Sequence, residues 1–277
     1  MLAIEMTWLL PLLLGLVIGT VMGLTGAGGG VLAVPLLVYA MGLEMQVATP
    51  IALLAVGLAA LLGTSLGLWA GQVRYKAALL MGTVGLSASP LGFWVAGRSN
   101  GQVLSALFAF VLMWVAFNAF RHRANTALAE LDAPQAGPVS PCPCMLNPDT
   151  GRFVWTWPCA RALIGSGGLA GLMSGLLGVG GGFVLVPALQ RFTNIHQQSV
   201  TVTSLAVIAV VSLSGVVNSA MSGTFQVHTG LTFSLGAMLG MLLGRQLGKH
   251  LPTHVLKWSF GGICLVVSAL MIIRAAG

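Results

Sequence analysis

Backbone amide groups are the strongest candidate for ligand-binding chemistry in this chain, and two glycine-rich segments would supply them. The first, GLTGAGGGVLAVPLL, covers residues 23–37, and the second, GLLGVGGGFVLVPAL, covers residues 175–189. Nine of the 15 aligned positions are identical at a constant offset of 152 residues, including five glycines and the proline. Because glycine lets a ligand approach the backbone closely, each segment could present its N–H groups to an anion. The chain is therefore interpreted as a duplicated unit with one candidate turn in each half.

Each glycine segment is followed by a short apolar stretch that predicts a half-helix. The first amides of these half-helices, at Val31, Leu32, Phe183 and Val184, are expected to lack intrahelical partners, and the helix dipole adds positive charge there. Tight helix packing alone could also explain one glycine-rich motif. Two matched copies, each followed by a proline, favour a binding role instead.

Hydroxyl groups on the spans that follow could complete the shell of an oxyanion. Thr49 in the first half is matched with Thr203 and Ser204 in the second if two residues are inserted. A membrane Ser or Thr more often bonds to its own helix carbonyl, so these three gain weight only from the internal symmetry. The predicted substrate-binding residues are Gly26, Gly28, Gly29, Gly30, Val31, Thr49, Gly178, Gly180, Gly181, Gly182, Phe183, Thr203 and Ser204.

The composition predicts the environment in which these residues must be positioned. With 57% hydrophobic and 6% charged residues, the chain cannot form a water-facing surface and is predicted to be an integral membrane protein. Continuous apolar runs such as 51–68 and 103–120 indicate helices rather than the alternating strands of a barrel. Long spans are predicted near 7–24, 47–70, 77–96, 102–120, 162–177, 198–222, 227–248 and 255–273, with short segments near 31–41 and 183–190.

The basic residues distinguish two topologies. If each glycine segment belongs to one crossing, the 12 Lys and Arg residues divide seven to five between the two faces. If each segment is instead the tip of a hairpin that returns to its own face, they divide ten to two, the bias typical of membrane proteins. The face with ten should then be cytoplasmic, and it carries Arg74, Lys76, Arg121, Arg123, Arg152, Arg161, Arg191, Arg245, Lys249 and Lys257.

The predicted fold is therefore an all-α polytopic membrane protein with two inverted repeats, each a re-entrant helical hairpin plus three transmembrane helices. Residues 1–121 form the first repeat, 122–160 a cytoplasmic linker, and 161–277 the second repeat. Both termini are predicted to be periplasmic in a multi-pass protein of the inner membrane. The two hairpins would enter from opposite faces and bring their tips together near the midplane.

Acidic residues are few, and their positions exclude several functions. All five lie at segment ends or in the central loop, so no membrane carboxylate is available to carry protons or to cage a metal cation. We therefore expect no metal, and we predict a transporter rather than an enzyme. The net charge of +7 follows from topology and gives little support to nucleic-acid binding. The expected partners are a small anion and the lipid bilayer, with a homodimer as a further possibility.

The linker contains Cys142, Cys144 and Cys159, with His122 nearby. The CxC spacing is unlike a zinc site, although a metal site or a membrane thiol or sulfur relay using Cys142 and Cys144 remains an alternative. Because the linker is predicted to be cytoplasmic, its thiols are expected to be reduced rather than joined in a disulfide.

The doubled G-x-G-G-G-x4-P motif, the Thr203–Ser204 pair and the small size resemble the sulfite exporter TauE/SafE family over nearly the whole chain. The resemblance implies transport of sulfur-containing or organic anions, with sulfite first and sulfoacetate or thiosulfate as other candidates, and no bound cofactor. An anion channel on the same scaffold is the alternative. The chain departs from a symmetric pattern at Thr49–Pro50 and in its long cysteine-bearing linker.

Overall fold

The computed structural model describes residues 2–26, 28–99, 101–131, 144, 156–193, 197–221, 226–248 and 261–271. Within these ranges the fold is helical and contains no strand, which confirms the predicted all-α class. A 3₁₀ turn at Gly29–Leu32 precedes α2. The helices are α1 (Leu2–Thr25), α2 (Ala33–Met41), α3 (Met45–Trp69), α4 (Tyr75–Arg98), α5 (Gly101–Leu131), α6 (Trp157–Leu177), α7 (Gly182–Phe192), α8 (Gln197–Met221), α9 (Val227–Leu247) and α10 (Gly261–Met271).

Six of the described helices are long and apolar enough to cross a membrane, namely α1, α3, α4, α6, α8 and α9. By contrast, α2 and α7 have 9 and 11 residues. At 1.5 Å per residue they extend only about 14 and 17 Å, about half of the hydrocarbon thickness. The multi-pass membrane class is therefore as predicted, and the two segments that follow the glycines are too short to cross.

The 152-residue offset of the glycine segments also relates the helix boundaries of the two halves. Equivalent helix ends fall at Thr25 and Leu177, Met45 and Gln197, Trp69 and Met221, and Tyr75 and Val227. No insertion is needed anywhere between these points. The duplication seen in the sequence therefore extends to the secondary structure.

Two close helix pairs, α1 with α9 and α4 with α6, are built on small residues. A Cβ atom at Gly19 would overlap the carbonyl oxygen of Ala237, and one at Gly171 would overlap that of Gly85. These two contacts are equivalent at the 152-residue offset. The neighbouring contacts advance along both helices in the same direction, so each pair runs parallel. The glycines allow backbone-to-backbone contact, as is usual for helices that pack in lipid.

The centre of the molecule is the crossing of α3 and α8. Gly67 lies against Val202, Gly63 against Leu205, and the side chain of Leu53 against Gly215, so the two helices are antiparallel. They are also the most buried of the six long helices, with 61% and 67% of their residues inside the protein. Because α3 and α8 are equivalent in the two halves, this antiparallel crossing relates one half to the other.

The second hairpin, α6 with α7, leaves and returns at one end of the molecule. That end is where α3 finishes and where α4, α6 and α8 begin. It carries Arg74, Lys76, Arg161 and Arg191, and we call it the basic end. Arg98 and Glu44 lie at the opposite end, where α4 finishes and α3 begins.

Two helix boundaries around the predicted linker differ from expectation. α5 continues to Leu131, beyond the predicted boundary at residue 121. α6 begins at Trp157 because Thr156 caps it, with its side chain accepting a hydrogen bond from the Cys159 amide, and because Pro158 occupies the first turn. Of the remaining linker, only Cys144 lies within the described residues.

Candidate functional site

The first glycine tip turns back against its own helix. Gly26 has φ of 79°, a left-handed conformation that favours glycine. Gly29 is buried, and a Cβ atom there would overlap the backbone nitrogen of Met22. The amide of Val31 donates to the carbonyl of Gly28 at 3.2 Å. The expectation that the Val31 amide is free is therefore wrong.

The second tip uses left-handed backbone at three positions. Gly178, Gly180 and Gly181 have φ of 70°, 73° and 69°. The amide of Val184 donates to the carbonyl of Gly181 at 3.1 Å, so this amide is also occupied. In each short helix, the N–H groups that come before the first backbone hydrogen bond have no acceptor within the helix. From the helix starts, this rule assigns them to Gly29 and Gly30 in the first half and to Gly182 and Phe183 in the second.

The two tips meet at the crossing of α3 and α8. The Cβ position of Gly30 lies 3.4 Å from the carbonyl oxygen of Val179 and 3.1 Å from the side chain of Val56. That of Gly180 lies 3.3 Å from Val56 as well, and 2.9 Å from Ile208. Val56 and Ile208 are equivalent at the 152-residue offset and are almost fully buried. The predicted meeting of the tips is thus present in the fold.

Thr49 and Thr201 occupy equivalent places beside the tips. The Cβ position of Gly178 lies 2.9 Å from the Oγ1 atom of Thr49, and that of Gly26 lies 3.1 Å from the Oγ1 atom of Thr201. The Thr49 hydroxyl also donates to the carbonyl of Met45 at 2.8 Å. The counterpart of Thr49 is therefore Thr201, at the constant offset, rather than the Thr203–Ser204 pair. Sequence reasoning missed Thr201 because it introduced an unnecessary insertion.

Thr203 and Ser204 make other contacts in this structure. The hydroxyl of Thr203 accepts a hydrogen bond from the backbone nitrogen of Arg74 at 3.2 Å. The hydroxyl of Ser204 donates to the carbonyl of Val200 at 2.8 Å, the bond within the helix that membrane serines usually form. Both residues are buried on α8, within one turn of Thr201.

A cavity of about 420 Å³ lies at the end of the molecule opposite the basic end. Gln46 and Gly97 are exposed at its mouth, and Thr49 and Gly175 place its inner part close to the second tip. Its wall is mostly apolar, with polar groups at a few positions. Besides those four residues, the wall includes Phe93, Trp94, Leu104, Asn218 and Ser219.

Contacts between the halves tie the basic end together. The Gln72 side chain donates to Gln198 at 3.5 Å, at the outer limit of hydrogen bonding. The Arg245 guanidinium donates to the carbonyl of Gly63 at 3.3 Å. Arg245 is thus bound to a neighbouring helix, while Arg98 stacks on the ring of Trp94 with its Cζ atom 3.7 Å from the centroid.

Cys144 and Cys159 form a disulfide, so the expectation of reduced thiols is wrong. The amide of Cys144 donates to the carbonyl of Phe192 at 3.1 Å, which holds its Cα atom 4.9 Å from that of Cys159. Phe192 ends α7, and Cys159 lies in the first turn of α6. The disulfide therefore joins the two open ends of the second hairpin, far from its glycine tip. Cys142 and His122 lie outside the residues whose side chains are described. Among the described residues, no group of His, Cys, Asp and Glu could hold a metal.

Known proteins are similar to this chain over most of its length. Residues 11–271 match the family model described as sulfite exporter TauE/SafE. A probable membrane transporter protein from Xylella fastidiosa strain Temecula1 is 28% identical over 264 residues, 94% of this chain and 93% of that protein. The probable membrane transporter protein YunE from Bacillus subtilis is 25% identical over 232 residues, 79% of this chain and 80% of its own length. No solved structure is significantly similar.

Proposed function

The chain belongs to the sulfite exporter TauE/SafE family of membrane transporters, and on this premise we propose that it carries a sulfur-containing oxyanion or organosulfonate across the inner membrane. Sulfite is the first candidate. The observation that carries the proposal is the meeting of the two glycine tips at the crossing of α3 and α8. The anion would bind there.

The chemistry of the tips suits an anion. The four amides at Gly29, Gly30, Gly182 and Phe183 are donors without an intrahelical acceptor, and each pair lies at the positive end of a helical segment. Donors that are already in place can replace part of the water shell of an oxyanion without a rearrangement. The described spans carry no carboxylate that would repel it.

The relation between the halves supports a mechanism of alternating access. Equivalent contacts recur at the 152-residue offset, and the equivalent helices α3 and α8 are antiparallel. A two-fold axis that relates α3 to the antiparallel α8 must be perpendicular to both helices. If these helices cross the membrane, the axis lies in the membrane plane. The two halves would then be inverted repeats, which rock against each other around a midplane site in many transporters.

The cavity and the contacts at the basic end suggest which state this is. Gln72, Arg74 and Arg245 tie the halves together at the basic end, while the cavity reaches toward the second tip from the opposite end. By the positive-inside rule the basic end is cytoplasmic. The arrangement then corresponds to a state that opens toward the periplasm.

The Cys144–Cys159 disulfide opposes this orientation, because cytoplasmic disulfides are rare. The charge count carries more weight, since it rests on ten residues against two.

Impermeant maleimide applied to intact cells distinguishes the orientations. In a background without other cysteines, Glu44→Cys should be labelled from outside and Lys76→Cys only after the membrane is opened; both side chains are exposed. The reverse pattern would place the basic end in the periplasm.

Transport itself is tested in proteoliposomes. We expect saturable uptake of labelled sulfite that is accelerated when unlabelled sulfite is present on the other side, because alternating access exchanges one anion for another. Competition by sulfoacetate, thiosulfate and chloride ranks the substrates. A current that neither saturates nor shows exchange would identify a channel, and no flux of any of these anions would contradict the proposal.

A further inference from the structure

Four buried hydroxyl groups have no hydrogen-bond partner among the described residues, and three of them lie in the second-tip region. They belong to Ser89 on α4, Ser174 on α6 and Ser212 on α8, while the fourth, Thr64, lies on α3. The three serine side chains are 0%, 0% and 1% exposed. A buried hydroxyl without a partner destabilises a fold, so three in one region require an explanation.

Ser212 differs from other hydroxyl-bearing residues in the spans. Ser204, Ser214 and Ser234 each donate to a carbonyl of their own helix at 2.8, 2.7 and 2.6 Å. This local bond is available to a serine on a helix. The hydroxyl of Ser212 does not form it, and instead lies 3.2 Å from the Cβ position of Gly180 at the second tip.

The three equivalent positions around the first tip are apolar. At the 152-residue offset, Ser212 corresponds to Ala60, Ser174 to Met22 and Ser89 to Met241. These three counterparts are buried as well. The two tips are therefore alike in backbone but differ at these three surrounding positions, which carry hydroxyl groups at the second tip and apolar side chains at the first.

Ser174 and Ser89 are connected to the second tip through the backbone. The carbonyl of Ser174 accepts the amide of Gly178 at 2.8 Å, which ends α6 at the tip. The carbonyl of Ser89 lies against the next residue, Gly175, so closely that a Cβ atom there would overlap it. Both serines thus lie where α6 ends and the tip begins, whereas Ser212 lies beside Gly180 within the tip.

Ser212 lies further inside the protein than the cavity, on the same face of α8. Ser219, which lines the cavity, is seven residues further along α8, so the two hydroxyls lie on one face about 10 Å apart. Between them, Leu53 and Phe93 contact Gly215. An anion that entered from the cavity would have to displace these two side chains to reach Ser212 at the second tip.

We propose that the anion is held asymmetrically, on the side of the second tip, and that the hydroxyl of Ser212 donates a hydrogen bond to it beside the amides of Gly182 and Phe183. This inference rests on the proposed function, because it concerns the same site. The bound anion would supply the acceptor that Ser212 lacks. The first tip would close the site from the other side.

The test compares Ser212→Ala with Ser214→Ala in detergent-purified protein, with sulfite binding and thermal stability measured on each. A hydrogen bond to a charged group corresponds to a loss of about tenfold to hundredfold in affinity, which is expected for Ser212→Ala. Ser214→Ala should bind normally, since its hydroxyl is bonded to Val211. Thermal stability of Ser212→Ala without sulfite should be unchanged or higher, because an unpartnered polar group is removed.

Unchanged affinity in a folded Ser212→Ala protein would overturn the inference and leave the proposed function standing. If wild-type protein binds none of the oxyanions, the proposed function itself fails. Should Ser212→Ala not fold, Ser212→Cys keeps the volume with a weak donor, and the same loss of affinity is expected. Equal binding by Ser212→Cys would then count against the inference.

Discussion

Replacing Gly180 with alanine is expected to reduce transport at least tenfold in protein that still folds. The residue has φ of 73°, where an L side chain costs about 1–2 kcal/mol. Its Cβ atom would lie 2.9 Å from Ile208 and 3.2 Å from the Ser212 hydroxyl. A methyl group there would fill the space in which the two tips meet. The measurement is sulfite exchange in proteoliposomes, normalised to the amount of folded protein.

Gly71 provides the matched control for this change. It has nearly the same conformation, with φ of 65°, but no atom lies within 4 Å of its Cβ position. Gly71→Ala therefore carries the same backbone strain on the turn between α3 and α4, away from the tips. We expect this variant to lose stability slightly and to transport normally. If both variants lost transport equally, strain rather than occupation of the site would be responsible.

Replacing Gly171 with alanine is expected to destabilise the fold more than any change at a single exposed residue. Its Cβ atom would overlap the backbone of Gly85 across the close pair of α4 and α6. Because the obstacle is backbone rather than a rotatable side chain, the helices must separate. Overpacking of this kind costs about 1–3 kcal/mol, and the loss should appear as a lower melting midpoint and less folded protein in detergent.

Gly165→Ala on the same helix is the control. This glycine is exposed, and nothing lies within 4 Å of its Cβ position. Alanine in an exposed helix is favoured over glycine by about 0.5–1 kcal/mol, so the variant should be as stable as the wild type or more stable. A similar loss in both variants would mean that α4 and α6 do not pack through this seam.

The sequence alone predicted the elements of this protein because membrane burial leaves strong local signals. Continuous apolar runs specify helices, and the ends of the long spans lie within a few residues of those observed in most cases. The constant offset between Gly26 and Gly178 specified the duplication and the two tips. The same offset also matches Thr49 with Thr201, and the structure places both beside the tips. The sequence alignment missed this match because it inserted a gap of two residues.

Only the tertiary structure decided how particular side chains are used. Thr203 accepts from the Arg74 backbone, Cys144 meets Cys159 through a bond to Phe192, and Ser212 turns from its own helix toward Gly180. These arrangements depend on contacts with distant segments or on the rotamer of one side chain. Such contacts and rotamers leave no periodic pattern in the sequence. Sequence repetition identifies equivalent backbone in the two halves, whereas partners and unpartnered groups follow from packing in three dimensions.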